Sequence, residues 1–429
     1  MKPLTYSIIT YGCQMNISDS ERIAGLLNSI GFIHSPALEK SSLIIVNFCS
    51  VRQSAFDRAI NKLKNFSKSK IIIATGCVLE KDKKLVNTFA DCFVPIDRIS
   101  IMPAILKQYG FKIKKNALKT SHYLKISPAY QSKIIAYIPI MTGCNNFCSY
   151  CVVPYTRNRE ISRPINNIVK EAKQLAENGI KEIWLLGQNV NSYKYKSYLF
   201  SDLLKKINNI KGDFWIRFMS SHPKDLSRDL IKTFSLCKKA APYLNLPIQS
   251  GDNKILNKMN RPYTINHYKS LINNLRKEFK KNRKGLESIL SLSTDVIVGF
   301  PTETKKQFDN TLDLFKELQY SNAYIACYSP RSQTAAFLLK DSVLNCDKKK
   351  RERKLTETVK QTALQFNNQF EDKIADVLIL EKIKDAYIGK TRHYQTIKIK
   401  TKKNISGKFV KAKVIKVFPF GIEGKLVEK

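Results

Sequence analysis

Three apolar runs near the N-terminus each end in cysteine: Tyr6-Ser-Ile-Ile-Thr-Tyr-Gly-Cys13, Leu43-Ile-Ile-Val-Asn-Phe-Cys49 and Ile71-Ile-Ile-Ala-Thr-Gly-Cys77. Each has strand length, and helical patterns fill the gaps between them. Ser18-Asp-Ser-Glu21 reads as a capping box, followed by Ile23, Leu26, Leu27 and Ile30 on one face and Gly31 as a stop. Phe56, Ile60 and Leu63 repeat at i, i+4 and i+7 and predict a second helix. The alternation predicts a parallel sheet with right-handed crossovers, and so places all three cysteines at the carboxyl edge where open α/β sheets bind ligands. A free cysteine is ordinarily a small buried hydrophobe. Three at equivalent strand ends point instead to a shared ligand. Gly12 and Gly76 precede two of them, letting backbone come close to a bulky group. Three thiolates suit an iron-sulfur cluster.

A second cysteine set is local. Cys144, Cys148 and Cys151 form C-x3-C-x2-C in a tight loop directly after the apolar run Ile134 to Ile140. Zinc wants a fourth protein ligand, and His34, His122, His222, His267 and His393 are all isolated from the cysteine pairs. A 4Fe-4S cluster accepts three thiolates and keeps one iron open for substrate, which favours iron-sulfur over zinc. Cys92, Cys237, Cys327 and Cys346 share no spacing and are assigned to structure.

Downstream, apolar strands are expected near Ile134 to Ile140, Glu182 to Leu186, Phe214 to Met219, Tyr243 to Ile248, Ser293 to Val298 and Ala323 to Tyr328. Amphipathic stretches separate them; Ile168, Ala172 and Leu175 make one such face, which Gly179 ends. Six strand-helix units are too few for the eight of a closed barrel, so the pattern predicts a partial, open (β/α)6 barrel with its chemistry at the strands' carboxyl ends. Polar loops follow those ends: Gly187-Gln188-Asn189, Ser220-Ser221-His222-Pro223, Gln249-Ser250-Gly251 and Gly299-Phe300-Pro301-Thr302-Glu303. A helix is expected from Lys349 to Glu371. After it Ile374 to Leu380, Gln395 to Lys400, Phe409 to Val417 and Gly424 to Val427 read as alternating strands of a small, Lys-rich β-barrel, which fits RNA binding or a plain packing module.

The fold class is therefore α/β: a parallel α/β domain over residues 1–120, a partial barrel over 130–360 and a small β-barrel over 366–429. The 429-residue length agrees with two or three domains. With 43% hydrophobic and 25% charged residues, wholesale disorder is excluded. No apolar run reaches the roughly 18 to 20 residues of a membrane span. No signal peptide is expected behind Lys2, so the chain is read as cytoplasmic. The +39 formal charge fits phosphate binding, but Lys spread evenly with Ile and Asn fits compositional bias equally well.

The chain resembles the radical S-adenosylmethionine methylthiotransferases over essentially its whole length, most closely their MiaB-type tRNA branch. The residues that carry the likeness are Thr10-Tyr-Gly-Cys-Gln-Met-Asn16 with Ser18-Asp-Ser-Glu21, and Gly143-Cys-Asn-Asn-Phe-Cys-Ser-Tyr-Cys-Val-Val-Pro-Tyr-Thr-Arg157 with Ser162-Arg-Pro164. Leu185-Leu-Gly-Gln-Asn-Val-Asn191, Leu246-Pro-Ile-Gln-Ser-Gly251 and Asp295-Val-Ile-Val-Gly-Phe-Pro-Thr-Glu303 extend it. Gln14-Met15-Asn16 and Gly187-Gln188-Asn189 look like the branch that modifies isopentenylated adenosine, and the C-terminal module looks like a TRAM domain. Three positions depart from the family: Phe48, where a small polar residue is usual; Asn158, where Gly is usual; and Tyr394, where Asn tends to stand.

The resemblance implies two 4Fe-4S clusters, on Cys144, Cys148 and Cys151 and on Cys13, Cys49 and Cys77, together with S-adenosylmethionine. It implies radical hydrogen abstraction at carbon 2 of the substrate adenine, sulfur insertion and methyl transfer. Tyr150 is expected to pack on the adenine of the cofactor. Gln188, Asn189 and Glu303 are taken as further cofactor-binding residues, and Lys390 and Arg392 as RNA-binding. No general acid, base or nucleophile beyond the cluster ligands is expected. The implied partners are tRNA bearing isopentenylated adenosine and an electron-donor protein, with no membrane and a monomeric chain. The rival readings are the same chemistry on threonylcarbamoyl adenosine or a ribosomal protein, and a non-enzymatic iron-sulfur RNA-binding regulator.

Overall fold

The structure is a computed structural model that describes residues 4–51, 53–66, 70–114 and 123–427; His122 lies outside them. The chain divides into two compact units. One comprises Met1–Ser132, Met141–Arg163 and Pro330–Phe337, the other Lys133–Ile140, Pro164–Ser329 and Leu338–Lys429.

In the first unit the chain runs β1 (Thr5–Thr10), α1 (Gln14–Ser29), β2 (Ile33–His34), β3 (Leu43–Cys49), α2 (Gln53–Lys64), β4 (Ile71–Cys77), α3 (Glu80–Phe89), β5 (Cys92–Phe93) and α4 (Met102–Gln108). Among the described residues the strands form a parallel sheet in the order β2-β1-β3-β4-β5. The expected strand–helix alternation is present, with two short outer strands added. Along β3, Leu43 and Ile45 pack with Ile23, Leu26 and Leu27 of α1. Ile44, Val46 and Phe48 pack with Phe56, Ile60 and Leu63 of α2 on the opposite face. Such burial stabilises by roughly 1.5–3 kcal/mol per large aliphatic side chain. Because successive strand side chains alternate, Asn47 and Cys49 fall on the α1 face, and by the same period Thr75 and Cys77 of β4 join them.

α1 begins five residues earlier than the capping-box reading implies. Cys13 is its N-cap, and Ser18, Asp19, Ser20 and Glu21 are buried within it. These polar residues meet partners in the unit's interior; they do not cap a helix end. Gly31, at φ +100°, follows the last turn as expected.

Between β6 (Ile135–Pro139) and α6 (Ile165–Glu177) lies the three-cysteine segment, closed by the short antiparallel pair β7 (Met141–Thr142) and β8 (Ile161–Ser162) around the single turn α5 (Val153–Thr156). This segment belongs to the first unit.

The second unit continues with β9 (Glu182–Leu186), the small hairpin β10 (Lys194–Tyr195) and β11 (Tyr198–Leu199), α7 (Phe200–Asn208), β12 (Trp215–Phe218), α8 (Arg228–Leu236) and β13 (Tyr243–Asn245). Then come α9 (Asn253–Lys258), α10 (Ile265–Asn282), β14 (Ser291–Val298), α11 (Lys305–Leu318), β15 (Asn322–Cys327) and α12 (Asn345–Asn368). Among the described residues, the six expected strands form two parallel three-stranded sheets, β12-β9-β6 and β13-β14-β15, bridged singly at Ile216 and Ala240. This is an open α/β arc.

The chain ends in β16 (Ile374–Ile383), β17 (Ala386–Thr391), β18 (Thr396–Lys400), β19 (Phe409–Phe418) and β20 (Gly421–Leu426), which close into a barrel in the order β16-β17-β18-β20-β19. Val377, Ile379, Ile397, Ile399, Val414 and Ile422 fill it. The sequence missed β17. Lys390, one of the two residues expected to bind RNA, lies in this paired strand.

Candidate functional site

Cys49 and Cys77 are cross-strand partners at the ends of β3 and β4. Cys13 starts α1 beside them: Gly12, at φ +127°, has no Cβ, and one added there would stand 2.8 Å from the Cβ of Cys49. A buried amide pair fixes this corner. Asn16 Nδ2 donates to Asn47 Oδ1 (3.1 Å) and to the carbonyl of Phe48 (3.0 Å), while Asn47 Nδ2 donates to the carbonyl of Asn16 (2.8 Å). The Cys13 amide donates to Asn16 Oδ1 at 3.3 Å. The first turn of α1 is thereby tied to the end of β3. Phe48, the departure from the family pattern, turns away from Cys49 onto Phe56 (ring centroids 5.7 Å apart) and is fully buried.

Cys144, Cys148 and Cys151 lie within one folded-back loop. The Cys144 amide donates to the carbonyl of Asn158 (3.2 Å), and the Cys151 amide to that of Cys148 (2.9 Å). Gly143, at φ +80°, abuts the carbonyls of Asn158 and Arg159, where a Cβ would collide. Asn158 itself takes φ +61°, a conformation that Asn bears better than most residues, so the turn usually made by Gly survives. Tyr150 is half-buried in the same loop.

The two sets are joined by residues the sequence reading did not single out. Arg157, six positions after Cys151, donates Nε–H to Cys77 Sγ (3.0 Å) and Nη2–H to Asp19 Oδ2 (2.5 Å). Tyr123 donates its hydroxyl to Asp19 Oδ1 at 2.6 Å. The Arg157 and Asp19 side chains are 3% and 0% exposed, so this ion pair sits away from water. Burial pushes the Cys77 thiol up to about 11, and Arg157 pulls it the other way. Metal binding reverses that burial effect by deprotonating its thiols.

Among the described residues no three His, Cys, Asp or Glu side chains stand close enough to hold a single metal ion. A cluster ligated by three thiolates places each on a different iron, so its donors stand farther apart. The thiol-only donor sets, the cradle left by Gly12 and the buried Arg157 Nη1, which lacks an acceptor, fit such a group.

In the second unit Gln188 and Asn189 follow β9, and the Val190 amide donates to the carbonyl of Ser220 (3.1 Å), joining this loop to the one after β12. Asn189 Nδ2 donates to Asp225 Oδ2 at 2.6 Å. Buried and lacking partners are Gln188 Oε1, Asn189 Oδ1, both amide atoms of Asn191, Ser221 Oγ and His222 Nε2. His222 Nδ1 accepts from the Lys224 amide (3.3 Å), so the proton resides on Nε2, and burial holds the ring neutral with its pKa lowered to about 2. Ser220, Gln249 and Thr302, each just beyond a strand's carboxyl end, take positive φ of 63°, 69° and 68°. Unsatisfied buried groups and backbone strain together make these strand ends the unit's candidate surface for a polar ligand. His222 and Asn191 both stand in the sequence motifs of these loops, but the burial of the Asn191 amide and of His222 Nε2 without partners is visible only in the structure.

Glu303, expected to bind the cofactor, has its carboxylate engaged within the unit. Its Oε2 accepts from the Gly299 amide (2.7 Å) and from Arg351 Nη1 (2.6 Å). Burial raises its pKa, opposed by those two donors. Glu303 braces the loop after β14.

Lys390 and Arg392 are likewise engaged within the unit. Lys390 Nζ donates to Thr396 Oγ1 (2.8 Å) and lies 4.6 Å from the Tyr394 ring centroid. Arg392 pairs with Glu287 (3.1 Å) and donates to the carbonyl of Lys238 (2.5 Å). Tyr394, at φ +69°, packs on Tyr243 (4.6 Å) and Trp184 (5.2 Å). Exposed lysines of the small barrel include Lys411, Lys413 and Lys416 on β19, of which Lys413 pairs with Asp372 (3.1 Å).

Residues 138–315 match the Radical SAM superfamily, and residues 5–95 match Uncharacterized protein family UPF0004. Proteins named tRNA-2-methylthio-N(6)-dimethylallyladenosine synthase are similar over the full length. That of Carboxydothermus hydrogenoformans is 36% identical, covering 100% of both chains. That of Caldicellulosiruptor saccharolyticus is 36% identical, covering 99% of this chain and 93% of that protein. Among solved structures, the radical S-adenosylmethionine methyltransferase TsrM from Kitasatospora setae shares the fold, with TM-score 0.54 and 13% identity over 79% of this chain and 77% of that one. With both cysteine sets, the radical-type loop and the full-length likeness in place, the chain belongs to the tRNA-2-methylthio-N(6)-dimethylallyladenosine synthase family of radical SAM proteins.

Proposed function

We propose that this chain adds a methylthio group to carbon 2 of isopentenylated adenosine beside the anticodon of tRNA. One observation carries the reading: two sets of three cysteines lie in a single compact unit and are linked through Arg157. Cys144, Cys148 and Cys151 hold one 4Fe-4S cluster, and Cys13, Cys49 and Cys77 hold the other. When bound, these clusters and S-adenosylmethionine supply radical hydrogen abstraction, the sulfur and the methyl group.

The chain's own residues bind, orient and shield. Tyr150 packs against the cofactor's adenine, and Gln188 and Asn189 offer their unpaired oxygens to its polar groups. Glu303 acts one step removed, by holding the backbone at Gly299. Residues 1–120 carry the second cluster, 130–360 the radical chemistry and 366–429 the RNA contact. Lys411, Lys413 and Lys416 are the phosphate-facing residues in this reading, since Lys390 and Arg392 serve internal packing. The protein works as a cytoplasmic monomer that receives electrons from a donor protein. Among the described residues no helix is long and apolar enough to cross a membrane.

The test is anaerobic reconstitution with iron and sulfide, followed by S-adenosylmethionine, a reductant and tRNA carrying isopentenyladenosine. Formation of 5'-deoxyadenosine and the methylthio nucleoside is expected. Absence of 5'-deoxyadenosine would support a non-enzymatic regulator; its formation without that nucleoside would point to another substrate.

A further inference from the structure

The Arg157–Asp19 pair is unexplained by ligand binding alone. Neither residue is a metal ligand, and breaking a buried ion pair is costly. Asp19 lies inside α1, on the face that also receives Cys49 and Cys77, and it is held from a second side by Tyr123. Arg157 comes from the loop of the other cysteine set. Its guanidinium divides its donors: Nε to Cys77 sulfur, Nη2 to Asp19, and Nη1 buried without an acceptor. Asp19 takes only one of the five N–H donors of this buried guanidinium. The donor aimed at sulfur and the free donor beside it require another explanation.

We propose that Arg157 is a positioning residue for the cluster on Cys13, Cys49 and Cys77, setting its reduction potential by donating to the Cys77 thiolate and, through Nη1, to a further anionic sulfur of that cluster. The inference rests on the cluster assignment made above. Hydrogen bonds and positive charge at cluster sulfurs favour the reduced, more negative state, and such supporting residues tune a centre as strongly as its ligands do. Asp19 acts in opposition: its charge partly offsets that of Arg157 while fixing the guanidinium in the plane that reaches sulfur. The two residues therefore push the potential in opposite directions.

This opposition separates tuning from simple damage. In full-length protein with Cys144, Cys148 and Cys151 replaced by Ala, only the cluster in question remains, and its reduced form can be followed by electron paramagnetic resonance during a potential titration. Arg157→Gln is expected to lower the reduced-to-oxidised ratio at a fixed potential about tenfold, equivalent to 59 mV for one electron. Asp19→Asn is expected to raise it. Should Arg157→Gln fail to retain iron, Arg157→Lys, which keeps the charge but loses the fork, is expected to show a smaller downward shift. About four irons per chain with unshifted potentials, or with both variants shifting the same way, overturns the role of Arg157 alone. Near-zero iron in the parent variant overturns the cluster assignment, and this proposal with it.

Discussion

Arg217 and Glu182, 35 positions apart on neighbouring strands, meet in a buried ion pair of 2.6 Å. Glu182 Oε1 also accepts from Trp184 Nε1 (2.6 Å), and Arg217 donates to the carbonyls of Thr391 (2.9 Å) and Arg392 (2.8 Å). One guanidinium on β12 thus satisfies groups on β9, at the end of β17 and in the β17–β18 connection, tying the arc to the small barrel. Glu182→Ala leaves Arg217 charged, dry and short of a partner, and is expected to cost about 3–5 kcal/mol. Chemical denaturation should show the loss. Replacing both residues by apolar ones of similar volume should cost less than the single change.

Iron content tests the division of labour between the cysteine sets. The intact chain is expected to hold about eight irons as two 4Fe-4S units. Replacing Cys13, Cys49 and Cys77 with Ala should halve this and abolish methylthiolation, yet leave S-adenosylmethionine cleavage intact. Loss of cleavage in that variant would contradict the assignment.

The salt dependence of tRNA binding should follow the exposed face of β19. Neutralising Lys411, Lys413 and Lys416 removes up to three phosphate contacts and is expected to reduce the slope of log affinity against log salt by about two to three units. Neutralising Lys390 and Arg392 should instead lower stability, because their partners are Thr396, Tyr394, Glu287 and the carbonyl of Lys238. A binding slope that responds to the second pair and not to the first three would reverse this assignment.

Two buried histidines predict acid sensitivity. Burial lowers the pKa of His222 to about 2 and that of His393 to about 3. Unfolded, each takes a proton near pH 6.5; folded, each resists protonation. The unfolded state binds more protons below pH 6.5, so stability is complete above that value and falls as pH drops toward the folded values. The loss is about 1.4 kcal/mol per pH unit for each histidine. Unfolding midpoints for the parent and for His222→Gln/His393→Gln between pH 7.5 and 5 should diverge, with the variant less steep. Parallel slopes would contradict the linkage.

Where local pattern and tertiary burial agreed, the sequence was readable. β3 and β4, the apolar face of α1, Gly31 and the six arc strands were all found because period and turn chemistry point the same way. Ser18 to Glu21 misled because a capping box and a buried polar cluster contain the same residue types. Distant partners distinguish them for Asp19: Arg157, 138 positions away, and Tyr123, 104 positions away. β17 was missed because Lys390 and the residues after it look like a basic loop, while its pairing with β16 and β18 is set by barrel closure. The cysteine positions could be read one by one. That both sets share a compact unit could not, since it depends on the segment 141–163 packing with a domain that ends well before it.

The account is tested most directly by mass spectrometry of tRNA nucleosides from cells lacking the gene, before and after its return. The methylthio-isopentenyladenosine signal should vanish, isopentenyladenosine should accumulate, and the returned gene should restore the signal unless Cys144, Cys148 and Cys151 are replaced. An unchanged methylthio-isopentenyladenosine signal in the deletion, with another methylthiolated product lost in its place, would contradict it.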